Sequence, residues 1–86
     1  MMETIAPRYE WGQRVQAGID LYNDGSYPEQ PADALLILRG EAGEVVQVGQ
    51  HTESGKVVYM VEFALNRVVG CCEQELMPWQ ANGGAL

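Results

Sequence analysis

Val57-Val58-Tyr59-Met60-Val61-Glu62-Phe63-Ala64-Leu65-Asn66-Arg67-Val68-Val69-Gly70-Cys71-Cys72-Glu73-Gln74-Glu75-Leu76 is the stretch whose reading decides the fold. Its first half alternates. Val57, Tyr59, Val61, Phe63 and Leu65 share one face of an extended strand, and Val58, Met60, Glu62 and Ala64 share the other. β-Branched and aromatic residues on the first face fit a strand with one side buried. Leu65-Asn66-Arg67 interrupts the period, and a second run, Val68 to Cys71, follows at once. A connection this short joins antiparallel strands, because a parallel return needs a crossover of about a dozen residues. Glu73 to Pro78 reads as one helical turn stopped by proline.

Upstream of this hairpin the chain offers shorter strands. Trp11 and Gly12 turn into a strand on which Val15, Ala17 and Ile19 share a face. Asp20 to Asp33 is the longest irregular stretch, and Asn23-Asp24-Gly25 within it is a strong turn signal. Leu21, Tyr22 and Tyr27 are large groups for a loop. Either they lid an open end of the fold, the favoured reading, or they anchor a partner from a rigid turn. Ala34–Leu38 is a short extended run, Arg39 to Gly43 a turn, and Glu44–Val48 a strand whose valines need a bulge to share a face. Gly49 to Lys56 is a polar hairpin loop, and Trp79 packs back on the domain.

The whole reads as an all-β fold: a small, SH3-like, partly open antiparallel barrel of four or five strands with a short C-terminal helical turn. An OB-type barrel ranks second, since it normally takes more chain. Residues 1–7 read as a disordered start, residues 8–79 as the barrel domain, and residues 80–86 as a flexible tail.

With 86 residues the chain makes one domain with a thin core, burying roughly 60–65% of its unfolded surface. No apolar run approaches the ~20 residues of a membrane helix, and the first residues lack the pattern of a signal peptide. Cytoplasmic residence is the expectation. Twelve acidic against five basic residues leave a formal charge of −7, which argues against nucleic acid and anionic membrane as partners. The only two cysteines, Cys71 and Cys72, are adjacent, so a strand points them to opposite faces and a disulfide between them would be distorted.

Catalysis has little to work with. His51 is the sole histidine, Ser26 and Ser54 have no activating neighbour in sequence, and no phosphate loop or dinucleotide fingerprint occurs. Glu73 and Glu75 read as solvated charge in an exposed turn. Cys71 and Cys72 read as one packed thiol and one surface thiol. Thiolate contact with a metal or cluster is the lesser reading, because two neighbouring sulfurs make a poor closed site. No enzyme activity, cofactor or resident metal is expected.

Several segments resemble a known family. They are Arg8-Tyr9-Glu10-Trp11-Gly12-Gln13-Arg14-Val15, Asn23-Asp24-Gly25-Ser26-Tyr27-Pro28, and Leu36 to Val45. Val48-Gly49, Val58 to Phe63 and Arg67 to Leu76 complete the set. In this order, over about Pro7 to Pro78, they are similar to NifZ, a small accessory protein of nitrogen fixation. The Asn-Asp-Gly-aromatic-Pro turn and the Val-Gly-Cys-x-Glu-x-Glu-Leu corner are its most specific parts. Two positions depart from the family pattern. Gln50-His51-Thr52-Glu53 stands where a Thr-Phe-Leu-Gln type segment is usual. Cys72 stands where a basic residue is common, which marks position 72 as solvent-facing and Cys71 as interior.

The resemblance implies a non-catalytic helper that binds the immature molybdenum–iron protein of nitrogenase and assists formation of its P-cluster. Its expected contact surface joins the loop of Asn23, Asp24, Tyr27 and Pro28 to the corner of Cys72, Glu73 and Glu75, with Arg39. Both stretches combine rigid turns with side chains a core does not need. Competing readings are a permanent buttressing subunit, as in the variable chain of ferredoxin–thioredoxin reductase, a general interaction or transcription-elongation module, and a small metal-binding protein. Neither oligomeric state nor the nitrogenase subunit contacted has a signal in the sequence.

Overall fold

The computed structural model describes residues 7–79. Expectations for the first six residues and for residues 80–86 lie outside that range, and Pro7 is exposed. In chain order the strands are β1 (Arg14–Ala17), β2 (Leu21–Tyr22), β3 (Leu35–Ile37), β4 (Ala42–Gln50), β5 (Val57–Phe63), β6 (Arg67–Cys72) and β7 (Leu76–Pro78). Five of them form one antiparallel sheet in the order β6-β5-β4-β1-β7, and β2 pairs with β3 in a second, two-stranded sheet. The sheet is not closed. An all-β, open antiparallel domain is what the alternating pattern implied.

β5 carries the core. Val57, Tyr59, Val61 and Phe63 are buried while Val58, Met60 and Glu62 are half-buried, as a two-residue period requires. The run ends one step sooner than expected. Leu65 leaves the inward face and stands 87% exposed in a 3-10 turn, Ala64–Asn66, with φ of +64°. Asn66, at φ +60°, is also left-handed, and these two residues reverse the chain into β6. β6 then pairs with β5 from Phe63↔Arg67 to Val58↔Cys72.

The expected bulge in β4 is present, between Val45 and Gln47, and it lets Val45 bury while Gln47 faces solvent. Gly43, in the same strand, is required by crowding. A Cβ there would lie 2.7 Å from Val61 Cγ1 and 2.9 Å from the Glu62 carbonyl oxygen.

Three sequence expectations need correction. Ile19 does not share the inward face of Val15 and Ala17. β1 stops at Ala17, the Gly18 amide donates to the Glu75 carbonyl, and the chain bends so that Leu21 is buried and Ile19 is exposed. Asp20 to Asp33 is not wholly irregular, because β2 pairs with β3 across it. Finally, the helical turn is shorter than Glu73 to Pro78. A 3-10 turn covers Glu73–Glu75 alone, and Leu76–Pro78 extends to pair with β1, with Leu76 buried. Pro78 lies on the sheet's edge strand, where a residue without an N–H is tolerated.

Candidate functional site: a groove between the loop and the corner

The Asn23–Pro28 loop is organised from within. Asn23 is buried, and its side-chain amide donates to the carbonyl oxygens of Tyr27, Gln30 and Pro31 at 2.9, 2.9 and 3.0 Å. Its Oδ1 accepts from the amides of Gly25 and Tyr27. Five bonds use the full capacity of one asparagine side chain, counting two donors and two acceptor lone pairs with one donor shared. Asn23 is therefore the fastener of the loop and not part of its outer surface. Gly25, at φ +100°, supplies the left-handed residue that the turn demands. Asp24 faces out, its Oδ1 accepting from the Ser26 amide and from Ser26 Oγ at 2.7 Å. Those bonds hold its carboxyl below the ordinary carboxylate range.

The corner after β6 is tied over long sequence distances. The Tyr59 hydroxyl donates to Glu73 Oε2 at 2.6 Å and accepts from the amides of Arg8 and Tyr9. Glu73 Oε2 also accepts from the Arg8 amide at 2.9 Å. The Tyr9 ring meets Tyr59 edge to face with centroids 5.4 Å apart, and its hydroxyl donates to the Leu76 carbonyl. Glu73 is lowered from its ordinary value, first by the Tyr59 hydroxyl and then by the Arg8 amide. Tyr59 is raised, mainly by burial and then by the bond to Glu73. Glu75 Oε1 accepts from the Cys72 amide at 2.8 Å. Neither glutamate is the free solvated charge that its exposed-looking turn implied. Cys71 is buried and Cys72 half-buried, the assignment that the family resemblance implied at position 72. Burial, reinforced by Glu75 and Cys72, pushes the Cys71 thiol up to about 12, so in the metal-free chain it is a protonated thiol at neutral pH.

These two constructions face each other across an open groove of about 650 Å³. Asp24, Ser26 and Tyr27 line it from the loop, and Cys71, Cys72 and Glu75 line it from the corner. The two stretches singled out as one contact surface are thus brought together. Of the residues named for that surface, Asp24, Tyr27, Cys72 and Glu75 line the groove, while Asn23, Pro28, Arg39 and Glu73 do not. Pro28 and Arg39 are exposed elsewhere, the Arg39 amide donating to Asp20 Oδ1. The half-buried ring of Tyr27 packs on the core, as the lid reading expected, and also borders the groove. Leu21 belongs to the core itself.

Sequence reasoning missed Tyr59, Tyr9 and Arg67 as organisers. Arg67 donates to the Ala64 and Leu36 carbonyls and pairs with Glu41 at 2.9 Å, fastening β6 to the turn before β4. A signal did exist for Tyr59: a tyrosine on an apolar inward face needs a partner for its hydroxyl. Among the described residues no group of three or more His, Cys, Asp or Glu side chains is placed to hold a metal ion. No described helix is long and apolar enough to cross a membrane.

Fold and site together define a small open antiparallel β-domain with a preformed, acidic-rimmed groove. The NifZ domain model matches residues 6–78, and the chain belongs to the NifZ family, a group of proteins associated with nitrogen fixation. It is 42% identical over 84 residues to Protein NifZ of Azotobacter chroococcum mcd 1, covering 91% of this chain and 52% of that protein. Protein NifZ of Azotobacter vinelandii is 37% identical over 83 residues with the same coverage. A putative NifZ protein of Sinorhizobium fredii is 38% identical over 72 residues, covering 81% of this chain and 65% of its own length. The chain spans about half the length of the two Azotobacter relatives. No solved structure matches it.

Proposed function

We propose that this protein is a non-catalytic helper that binds the immature molybdenum–iron protein of nitrogenase and assists maturation of its P-cluster. Membership of the NifZ family gives the setting. The observation that carries the reading is the convergence of the Asp24–Tyr27 loop and the Cys71–Glu75 corner on one groove. These are the two segments on which the resemblance to the family chiefly rests, and a shared groove gives them a reason to occur together. Cys71 is buried in the core while Asp24, Tyr27, Cys72 and Glu75 border the open groove, which supports action by binding a partner protein at the groove surface. The domain works in the cytoplasm, and its SH3-like barrel serves as the scaffold for the groove.

Anaerobic capture tests this. Tagged protein is incubated with mature molybdenum–iron protein and, separately, with a form lacking complete P-clusters. Selective retention of the immature form is expected. Equal retention of both would replace the helper by a permanent buttressing subunit, and retention of neither would remove nitrogenase as the partner.

A further inference from the structure

The groove is bordered along two stretches of consecutive residues. Val68 to Cys72 all line it, although successive residues of a strand point to opposite faces. A groove touched by both faces of β6 lies along the strand's edge. The same holds on the other side, where Ile19 to Tyr22 line it in unbroken succession. β6 pairs with β5 alone, and β2 pairs with β3 alone, so each strand has an unpaired edge. The groove therefore runs between two open strand edges.

The backbone of β6 shows which groups are on offer. The Cys72 amide turns away from β5 to donate to Glu75 Oε1. In an antiparallel ladder outward groups recur every second residue, which puts the N–H and C=O of Val68 and Gly70 on the open edge as well. Val68 is exposed, and Gly70 has no side chain to obstruct an approaching backbone. Such an edge is a template for pairing with another chain. The charge around it has one sign. Asp20, Asp24 and Glu75 line the groove and no lysine or arginine does, while Met60, Val68 and Tyr22 supply apolar surface.

We infer that the groove takes an extended segment of a partner protein that alternates apolar and basic residues, added as a strand along β6. Main-chain bonds to Val68 and Gly70 give affinity, and the acidic rim selects basic side chains. This deepens the proposed function by naming how a partner is held, and it stands or falls without nitrogenase.

The test uses a capped eight-residue peptide alternating valine and arginine, with a valine–glutamate twin, titrated into the isotope-labelled full chain. The basic peptide is expected to shift the amide resonances of Val68, Gly70 and Tyr22, and the acidic twin to leave them in place. Gly70→Pro deletes an edge N–H on an edge strand, where proline is tolerated, and a Cβ at position 70 meets only Met60 Sδ at 3.5 Å. It should abolish the shifts. The pair Asp20→Asn and Asp24→Asn keeps the Oδ1 acceptor that each residue uses, removes the charge, and should weaken binding by about fivefold. No shift with the basic peptide, or equal shifts with both peptides, would overturn the inference. Shifts of residues 67–72 with protein concentration alone would overturn it too, making a second copy of the chain the occupant. Because no nitrogenase is present, failure here is separate from failure of the capture experiment.

Discussion

The two walls of the groove are fastened by opposite strategies. The loop wall hangs on Asn23, whose five side-chain bonds reach only two to eight residues along the chain. The corner wall hangs on the Tyr59 hydroxyl, whose partners lie 14, 50 and 51 residues away. A locally fastened wall can open while the rest of the domain stays folded, whereas a wall held by distant segments opens only when those segments separate. One side of the groove is thus adjustable, and the other is as rigid as the fold.

Tyr59→Phe should break that contrast most. It removes the group that joins Arg8, Tyr9 and Glu73, and leaves the Tyr9 amide without its partner in a buried setting. A loss of about 2–3 kcal/mol is expected, seen as a drop of roughly 8–24 °C in Tm with all probes melting together.

Asn23→Ala should cost less globally, about 1–2 kcal/mol, because water can reach much of the freed loop backbone. Its signature is local. Hydrogen exchange should quicken at the Gly25 and Tyr27 amides while the amides of β5 keep their protection. If β5 loses protection to the same degree, the two walls are not independent.

What could be read in the sequence follows the same division. Alternation is a local property, so β5, the hairpin into β6, the β4 bulge and the opposite facing of Cys71 and Cys72 were legible, while the choice of Cys71 as the inward one came from the family resemblance. β7 was not. Leu76-Met77-Pro78 is too short to show a period, and its strand character comes from pairing with β1, some 60 residues earlier. β2 is two residues long and exists only against β3. Of the candidate site, the two segments were legible, but not their convergence or the division of labour inside them. Asn23 looks like a surface turn residue because its burial depends on carbonyls that the later Tyr27–Pro31 backbone turns toward it. Glu73 looks like solvated charge because its partners are Tyr59 and the Arg8 backbone.

Acid should sharpen the contrast from the corner side. Glu73 is depressed in the folded chain, so its contribution is complete above its ordinary value of 4.5 and is lost as pH falls through the lower folded value. The slope is therefore positive: stability rises with pH across that window. In Glu73→Gln this part of the acid-side loss should disappear, and denaturant midpoints measured from pH 3 to 7 should diverge from those of the parent chain only in the upper part of that range. Asp24 is depressed as well, by Ser26. Asp24→Asn should leave a parent-like loss through Glu73, which separates the two walls by titration. Identical acid profiles for Glu73→Gln and the parent would mean that the Tyr59–Glu73 bond does not hold the corner.

The smallest effect concerns the two thiols, which lie beside each other in sequence and on opposite sides of β6. Cys72 is half-buried at the groove, and Cys71 is buried with its thiol pushed up to about 12. Thiolate is the reactive form, so near neutral pH an alkylating reagent should label one cysteine per folded chain. Peptide mapping should find the label on Cys72. Cys72→Ser should change stability by no more than about 0.5 kcal/mol, since the side chain is half-buried at an open groove and the backbone bond to Glu75 stays intact. Cys71→Ser places a hydroxyl among apolar core groups and should cost more. If both thiols label at equal rates in the folded chain, the corner opens as readily as the loop, and the rigid wall proposed for the groove is lost.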